Sequence, residues 1–351
     1  LEEEGFSVRI FNLALEQILD PSLSIEAFLK SLEAKVYAID LHWFTHAIGA
    51  LEVAKLCKKY HPSSFTILGG FTATYYDLEI IQSYPFVDVI ARGESESILL
   101  DLVRTICSNG KIGESDGVTY RIGDSLRRRP ASLPPNLDRF KFTRLELMEN
   151  WDKQLKCCAR GYEENRKPSF WLTIARGCLN ECIYCGGARS CYQLLTGRER
   201  PIVRQASQIA EDIAGLAERG VKIVKLNHDP EMFGRHFWSS LLDSVKSTGA
   251  DVSMYWESSR LPSKDFVKEA TKTFVDLGVA ISPESTSQDV RMLAGRSFTN
   301  EQMFRTIAFV EKSKVMTDIY FLVGLPGETA NSANNIVKFT KKVCENKHTL
   351  V

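Results

Sequence analysis

Short β-branched runs alternate with amphipathic stretches twice along this chain of 351 residues. Such alternation is typical of helices packed on a mostly parallel sheet, because parallel neighbours need a crossover connection. In the first half the pattern predicts strands at residues 8–11, 36–39, 65–68 and 87–90, and helices at 25–32, 47–59, 78–83 and 97–107. This order predicts a doubly wound domain, flavodoxin-like or Rossmann-like, over residues 1–110.

The second half repeats the alternation from residue 166 to residue 351. It predicts strands at 170–175, 221–226, 252–256, 279–282 and 318–323, separated by helices at 206–219, 237–248, 264–277 and 300–312. We therefore expect a partial (β/α)6 barrel of the TIM type, with functional residues in the loops that follow the strands. Residues 347–351 resemble the start of a further strand and residues 1–5 the end of a helix, so we expect truncation at both ends.

Residues 111–165 have the pattern of a hairpin and a linker. A β-branched run at 117–120 leads to Gly123-Asp124, and a proline-rich stretch follows. Three consecutive arginines, 127–129, lie beside this turn, and a short basic run of this kind is expected to be solvated. The α/β chain is thus predicted to consist of two domains joined by this segment.

The charge balance argues against a polyanionic partner. Lys plus Arg equals Asp plus Glu at 44 each, so there is no global field to hold a nucleic acid. The chain begins Leu-Glu-Glu-Glu-Gly and has no long apolar run, which argues against a secretory signal and against membrane insertion. We predict a cytoplasmic protein that does not act in a membrane and for which nucleic acid is a disfavoured partner.

Nine cysteines without a secretory signal indicate reduced thiols, some of them metal ligands. Cys178, Cys182 and Cys185 follow the strand predicted at 170–175 and can hold three corners of an iron–sulfur cube, leaving one iron open. Zinc is the chemical competitor, but no second ligand pair flanks the loop as in a zinc finger. Cys191 is a candidate fourth ligand, although the interpretation with three ligands is favoured. Cys157 and Cys158 are expected to be packing thiols.

The spacing of these three cysteines, with Tyr184 before the last, resembles the radical S-adenosylmethionine (SAM) superfamily. Residues 321–329, Phe-Leu-Val-Gly-Leu-Pro-Gly-Glu-Thr, resemble its adenine segment. The superfamily's Gly-Gly-Glu is absent, and residues 227–230 read Asn-His-Asp-Pro instead. The resemblance implies that the cysteines hold a 4Fe–4S cluster and that SAM is bound by Tyr184, Gly186, Asp229, Arg260, Glu284, Ser285, Arg296, Gly324, Leu325 and Pro326.

The first half resembles the cobalamin (B12)-binding domain that precedes the radical domain in one subgroup of this superfamily. The resemblance implies that cobalamin is bound by His42, Trp43, Gly69, Gly70, Gly93 and Glu94. The Asp-x-His-x-x-Gly motif that supplies a lower cobalt ligand in methionine synthase-like domains does not occur. Either no side chain ligates the cobalt, or a residue such as His42 or His46 does.

The resemblance implies a cobalamin-dependent radical SAM enzyme, and most specifically a C-methyltransferase. Methyl would pass from methylcobalamin to a carbon radical made when a 5′-deoxyadenosyl radical abstracts hydrogen. Alternatives are another radical outcome, such as rearrangement, oxidation or tRNA methylthiolation, and a non-catalytic cobalamin or metal sensor. Expected partners are a small-molecule, peptide or protein substrate and an external electron donor of the flavodoxin or ferredoxin type. No catalytic side chain and no particular substrate can be assigned at this level.

Overall fold

The structure, a computed structural model, describes residues 1–131, 133, 136–157, 167–343 and 349–350. Internal contacts divide the chain into two compact units. Unit 1 takes in Leu1–Pro135, Leu147–Glu149 and Ser190–Glu199, and unit 2 takes in Asn136–Glu146, Asn150–Arg189 and Arg200–Val351. Across the described ranges, no helix has the length and apolarity needed to cross a membrane. The cytoplasmic location stays a prediction.

Unit 1 contains a sheet of order β1-β2-β3-β4-β5, in which β1 to β3 are parallel and β4 and β5 form an antiparallel hairpin. The strands are β1 (Val36–Asp40), β2 (Phe65–Gly69), β3 (Val89–Ala91), β4 (Val118–Ile122) and β5 (Ser125–Arg128). The helices are α1 (Leu13–Leu19), α2 (Ile25–Ser31), α3 (Ala47–Tyr60), α4 (Phe71–Tyr75), α5 (Asp77–Ser83) and α6 (Glu96–Asn109).

Neighbouring residues on the strands of unit 1 pack into different core clusters. Leu68 and Ile90 belong to one cluster, whereas Ile67 and Val89 belong to another that also contains Leu102 of α6. Since successive side chains of a strand point to opposite faces, the sheet is covered on both faces. The predicted α/β sheet with helices on both faces is therefore observed, but its parallel strands run in the consecutive order β1-β2-β3, without the reversal that defines a doubly wound sheet.

Unit 2 contains a parallel sheet of order β13-β12-β11-β10-β9-β6. The remaining strands are β6 (Ser169–Leu172), β7 (Ala175–Arg176), β8 (Ile202–Val203), β9 (Ile223–Leu226), β10 (Ser253–Ser258), β11 (Leu277–Glu284), β12 (Met316–Phe321) and β13 (Thr349–Leu350). The remaining helices are α7 (Trp151–Cys157), α8 (Arg189–Thr196), α9 (Ala206–Glu218), α10 (Arg235–Thr248), α11 (Lys264–Ala270), α12 (Gln288–Leu293), α13 (Asn300–Lys312) and α14 (Ala330–Val343). This consecutive order of parallel strands is typical of a partial (β/α)6 barrel.

The two faces of the unit 2 sheet differ in polarity. Side chains of one face pack with the helices in a large apolar core, and they include Leu172, Val224, Leu226, Met254, Trp256, Val279, Ile281 and Ile319. On the other face, Lys225 Nζ lies 5.6 Å from the centre of the Trp171 ring, and the Tyr255 hydroxyl donates to Asp318 Oδ2 over 2.9 Å. This second face is called the polar face below.

The predicted strand at residues 8–11 is wrong. Ile10 forms only an isolated bridge with Met148, and its side chain is 45% exposed. Its backbone bonds to a different segment instead, because Ile10 N donates to Leu147 O over 3.1 Å and Ile10 O accepts from Glu149 N over 2.8 Å.

The hairpin predicted to lie between the domains extends the sheet of unit 1 instead, because Val89–Ala91 pairs with β4. Unit 1 consequently extends past residue 110 and into the proline-rich stretch. The arginine run is not simply solvated, since Arg128 Nε donates to the buried carboxylate of Asp77 over 2.8 Å. Part of the predicted linker, residues 158–165 with Cys158, lies outside the described residues.

The strand predicted at 170–175 divides into β6 and β7, and β7 turns to pair antiparallel with β8. The side chain of Asn227, at the end of β9, satisfies the backbone at this break. Its Oδ1 accepts from Ile174 N over 2.8 Å and its Nδ2 donates to Ala175 O over 3.0 Å. The predicted helix 264–277 is also shorter, because α11 ends at Ala270 and β11 begins at Leu277.

Candidate functional site

The three predicted metal ligands lie in one loop, residues 177–188, between β7 and α8. Backbone turns shape this cysteine loop: Cys185 N donates to Cys182 O over 3.1 Å, and Ala188 N donates to Cys185 O over 3.0 Å. Cys182 is buried, Cys178 is half-buried and Cys185 is exposed, and all three are free thiols. Burial raises the pKa of the Cys178 thiol, and the neighbouring Cys182 and Cys185 raise it further.

The donor chemistry of the cysteine loop fits an iron–sulfur cluster, because thiolates are the usual ligands of such clusters. In the described part of the chain, no group of three or more His, Cys, Asp or Glu side chains is drawn together closely enough to hold a metal ion. The loop thus supplies the ligands in one segment, and their convergence on iron belongs to the proposal below.

Tyr184, Glu284 and Arg296, all predicted SAM residues, contact one another. The Tyr184 hydroxyl donates a short hydrogen bond to Glu284 Oε1, and Arg296 Nη2 lies 3.1 Å from the same oxygen. Arg296 Nη2 also donates to the Tyr184 oxygen over 3.2 Å. Burial and the bond to Glu284 raise the pKa of Tyr184, so the phenol keeps its proton. The cysteine loop is thereby joined to the end of β11.

Asp229 follows β9 and is buried with both carboxylate oxygens occupied. Its Oδ2 accepts from Ser259 N and Ser259 Oγ, each over 2.9 Å, and its Oδ1 accepts from Glu231 N over 3.0 Å. Burial raises the pKa of Asp229, although these donors and the charge of exposed Arg260 act in the opposite direction. The carboxylate predicted to bind SAM thus bonds instead to Glu231 and to the loop that follows β10.

Most of the remaining predicted SAM residues lie after β11 and β12, whereas Gly186 lies in the cysteine loop and Arg260 follows β10. Ser285 is fully buried, and its Oγ is 3.4 Å from Glu328 Oε1, while Gly324 N donates to Glu328 Oε2 over 2.6 Å. Leu325 packs in a small apolar cluster with Val290 and Ala294 of the α12 region. Five of the predicted SAM residues are exposed at the surface: Tyr184, Gly186, Arg260, Gly324 and Pro326.

Sequence reasoning missed four residues of this site: Ser259, Gly295, Glu328 and His228. Gly295 has a φ of 92°, and a Cβ there would lie 3.1 Å from Cys182 Cα, so glycine is favoured at this approach to the cysteine loop. His228 Nε2 lies 2.7 Å from Gly177 O, and burial lowers the pKa of this imidazole. Its Nδ1 is buried without a hydrogen-bond partner among the described residues. The unusual Asn-His-Asp-Pro sequence was the one available signal for His228.

The predicted cobalamin residues of unit 1 lie in the loops after β1, β2 and β3. His42 stacks on Phe71 with ring centres 4.7 Å apart, and neighbouring Trp43 is 63% exposed. Gly70 has a φ of 103°, and a Cβ there would lie 2.7 Å from the His42 backbone. Gly70 therefore lets two loops of the protein meet, whereas Gly69 has only Ala91 O and Ser95 Oγ within 4 Å of such a Cβ.

Gly93 and Glu94 contact the segment of unit 1 that contains most of α8. Glu94 is buried and pairs with Arg198, whose Nη2 lies 2.9 Å from Glu94 Oε2. The Tyr192 hydroxyl also donates to Glu94 Oε1 over 3.2 Å. Gly93 N donates to Thr74 Oγ1 over 2.9 Å. The carboxylate of Glu94, which was predicted to bind cobalamin, thus accepts hydrogen bonds from protein side chains.

Comparison with known proteins shows a family match for part of the chain. Residues 172–340 match the model of the radical SAM superfamily. An uncharacterized methyltransferase of Pyrococcus horikoshii, PH0819, is 23% identical over 299 residues, which cover 84% of this chain and 61% of the relative. The anaerobic magnesium-protoporphyrin IX monomethyl ester cyclase of Rubrivivax gelatinosus is 23% identical over 297 residues, which cover 82% of this chain and 50% of that protein. The chain thus spans 50–61% of the length of these curated relatives.

A solved structure has the same fold over nearly the whole chain. The radical SAM methyltransferase TsrM from Kitasatospora setae, solved with cobalamin and a 4Fe–4S cluster bound, gives a TM-score of 0.71 at 16% identity. The match covers 99% of this chain and 66% of TsrM. Residues 172–340 therefore match the radical SAM superfamily, and the chain shares the fold of the TsrM structure.

Proposed function

We propose that this protein is a cobalamin-dependent radical SAM enzyme, and that it transfers a methyl group to a carbon atom of its substrate. The observation that carries the proposal is the contact of Tyr184 with Glu284 and Arg296, which joins the cysteine loop to the strand ends expected to bind SAM. The methyltransferase name of PH0819 and the cobalamin in the TsrM structure support the methyl-transfer part.

The residues present fit the three cofactors that the proposal requires. Cys178, Cys182 and Cys185 would hold a 4Fe–4S cluster, and the ends of β9 to β12 would hold SAM. The loops after β1 to β3 would hold cobalamin. When bound, the cluster would supply an electron, SAM a carbon radical and cobalamin a methyl group, and an external protein of the flavodoxin or ferredoxin class would be the source of electrons.

The contribution of the chain itself is orientation and exclusion of water. Arg296 keeps its positive charge beside Glu284 and donates to Ser259 O over 2.7 Å, which fixes the loop after β10. Gly324, held by the Glu328 carboxylate, turns the chain sharply at the end of β12 with a φ of 93°. Such preorganised groups let a bound nucleoside meet a formed surface rather than order it on binding.

The proposed cobalamin surface of unit 1 is aromatic. Trp43, Phe44, Tyr75 and Tyr76 are all exposed, and the rings of Phe44 and Tyr76 lie 6.3 Å apart. A cluster of exposed large apolar side chains marks a binding surface on a soluble unit. His42 is engaged by stacking on Phe71, which supports packing against the corrin by Trp43 and Phe44 in preference to cobalt ligation by His42.

The polar face of unit 2 favours a polar substrate. Glu257 is exposed on this face, and Trp171 and Tyr320 are 47% and 49% exposed. An aliphatic substrate laid against the exposed Glu257 would remove water from its carboxylate without replacing the lost hydrogen bonds. We therefore place amino acids, peptides and other polar molecules ahead of hydrocarbons as substrates.

The test is anaerobic reconstitution with iron and sulfide, addition of hydroxocobalamin, removal of excess, and reaction with SAM carrying a deuterated methyl group. We expect retained iron, a retained corrin spectrum, 5′-deoxyadenosine formation on reduction, and label in the water-soluble fraction of a metabolite extract. Replacing Cys185→Ala should abolish cleavage, while Cys191→Ala should leave it unchanged.

The outcomes separate the parts of the proposal. Deoxyadenosine without transferred label would favour the other radical outcomes, one of which the cyclase name of the Rubrivivax relative supports. A cluster without retained corrin would remove cobalamin from the proposal. Label confined to the lipid fraction would contradict the polar substrate, and zinc without SAM cleavage would overturn the enzyme assignment altogether.

A further inference from the structure

We propose that Glu284 is a positioning residue that fixes the cysteine loop before any cofactor binds. It does so by joining Tyr184 to a hydrogen-bonded chain that ends at Asp229. The inference rests on the radical SAM part of the proposed function and does not depend on methyl transfer or on cobalamin.

The first link joins the cysteine loop to β11. Glu284 Oε1 accepts from the Tyr184 hydroxyl and from Arg296 Nη2. The side chains of Glu284 and Arg296 are only 4% and 12% exposed, so water competes little for these bonds. Hydrogen bonds between charged groups in such an environment are the strong ones.

The second link continues to the ends of β10 and β9. Arg296 Nη1 donates to Ser259 O over 2.7 Å, and Ser259 in turn donates through N and Oγ to Asp229 Oδ2. One connected set of hydrogen bonds therefore spans the carboxyl ends of three neighbouring parallel strands and the cysteine loop. All of its members belong to unit 2.

The backbone at Glu284 is built for this contact. Glu284 has a φ of 65°, in the left-handed region that residues other than glycine rarely occupy. The register of β11 with β12 also shifts between Ile281 and Glu284. Irregularities of this kind redirect a side chain at the end of a strand, and they are retained where the surroundings enforce them.

The consequence concerns how the predicted SAM residues act. Tyr184, Glu284 and Asp229 direct their polar atoms at protein groups, so each one's first effect is on the position of another residue. Gly295, which directly precedes Arg296, adds a close backbone approach to Cys182. The cysteine loop should consequently be ordered in the protein without cluster or SAM.

The experiment compares Tyr184→Phe with Tyr192→Phe in the full chain. Tyr192→Phe is the matched control, because it removes one hydroxyl that donates to a buried carboxylate, Glu94, in unit 1. We expect Tyr184→Phe to accelerate amide hydrogen exchange of residues 177–188 in the cofactor-free protein about tenfold, the effect of losing one charge-assisted hydrogen bond. Tyr192→Phe should leave exchange there unchanged.

A second readout uses the reconstituted protein. The Kd for SAM should rise about tenfold in Tyr184→Phe, and the change that SAM causes in the EPR spectrum of the reduced cluster should weaken. Iron content should stay at the wild-type level, because all three cysteines remain. Glu284→Gln, which keeps an acceptor for Tyr184 but loses the ion pair with Arg296, should lie between Tyr184→Phe and wild type.

The inference is overturned if Tyr184→Phe leaves both hydrogen exchange and SAM affinity unchanged. It is also overturned if the effects of Tyr184→Phe and Arg296→Lys on SAM affinity simply add, because members of one network must couple. Circular dichroism identifies a variant that fails to fold, and Glu284→Gln then decides through the same two readouts. If the variants behave as expected but the wild-type protein transfers no methyl group, only the methyl-transfer part of the proposed function is contradicted.

Discussion

Asp229 illustrates how single residues in this site serve the protein before they serve a ligand. Its carboxylate is buried and accepts three hydrogen bonds from two neighbouring segments. The superfamily resemblance implied that this same carboxylate binds SAM. Glu94 shows the same behaviour in unit 1, where Arg198 and Tyr192 occupy it. Residues that match a motif in sequence can therefore be structural supports of the site.

The raised pKa of Asp229 predicts a pH dependence of stability. The folded protein holds the Asp229 proton to a higher pH than the unfolded chain does. The resulting contribution to the free energy of unfolding is therefore fully present below the unfolded pKa and is lost as pH rises through the folded pKa. We expect urea unfolding at pH 4 and pH 7 to show wild type losing stability relative to Asp229→Asn as pH rises. An identical difference at both pH values would contradict the raised pKa.

The exposed thiols predict a pattern of chemical protection. In the cofactor-free protein, Cys185 and Cys191 are exposed and should react with iodoacetamide, while Cys57 should not, because burial raises its pKa to about 11. Reconstitution with iron and sulfide should protect Cys185 and leave Cys191 reactive. Mass spectrometry of the alkylated peptides measures this, and protection of Cys191 would instead identify it as a fourth ligand.

At the level of elements, β11 has a glycine that its neighbours require. Tyr255 of β10 pairs in register with Gly278 and reaches over β11 to Asp318 of β12. A Cβ at Gly278 would lie 2.9 Å from Tyr255 Cδ2. The polar face therefore depends on the absence of a side chain at this position.

Replacing Gly278→Ala should lower the free energy of unfolding by about 1–3 kcal/mol, because the Tyr255 ring must move from its place. Gly49→Ala is the control, since a Cβ at this position of α3 meets nothing within 4 Å and alanine favours a helix by about 1 kcal/mol. Urea titration of both variants measures the difference. A neutral effect of Gly278→Ala would mean that the ring adjusts without cost.

At the level of the whole molecule, each unit has its own apolar core. The large cluster that includes Trp256 and Phe266 belongs to unit 2, and the clusters around Leu68 and Ile67 belong to unit 1. Units with separate cores commonly unfold in separate transitions. The proposed cofactors should consequently stabilise different parts of the molecule.

Calorimetry should resolve two transitions that respond to different ligands. Hydroxocobalamin should raise the midpoint temperature of one transition, and SAM added to the reconstituted protein should raise that of the other. Each ligand should stabilise its unit by about 2.7 kcal/mol at a concentration of 100 Kd. Trp43→Ala should reduce only the shift caused by cobalamin. If both ligands raised the same transition, the assignment of one cofactor to each unit would be wrong.

Local periodicity in the sequence was sufficient for most strands and helices, because β-branched runs and amphipathic spacing reflect burial that begins within a segment. The spacing of Cys178, Cys182 and Cys185 likewise indicated a metal loop, since ligand chemistry and loop length are both local properties. The β4–β5 hairpin was found, but its place in the sheet was not, because strand pairing is decided by residues far apart in the chain.

Only the tertiary structure decided which polar groups meet. Ser259 and Gly295 carry no motif. Ser259 became part of the site because it lies at the carboxyl end of β10, and Gly295 because the turn after α12 approaches Cys182. The positive φ of Glu284 and the division of the predicted strand 170–175, where Asn227 bonds to the break, likewise follow from contacts across strands. The sequence by itself determined the elements and the cysteine chemistry, whereas the hydrogen-bonded arrangement of the site required the fold, because its partners are distant in the chain.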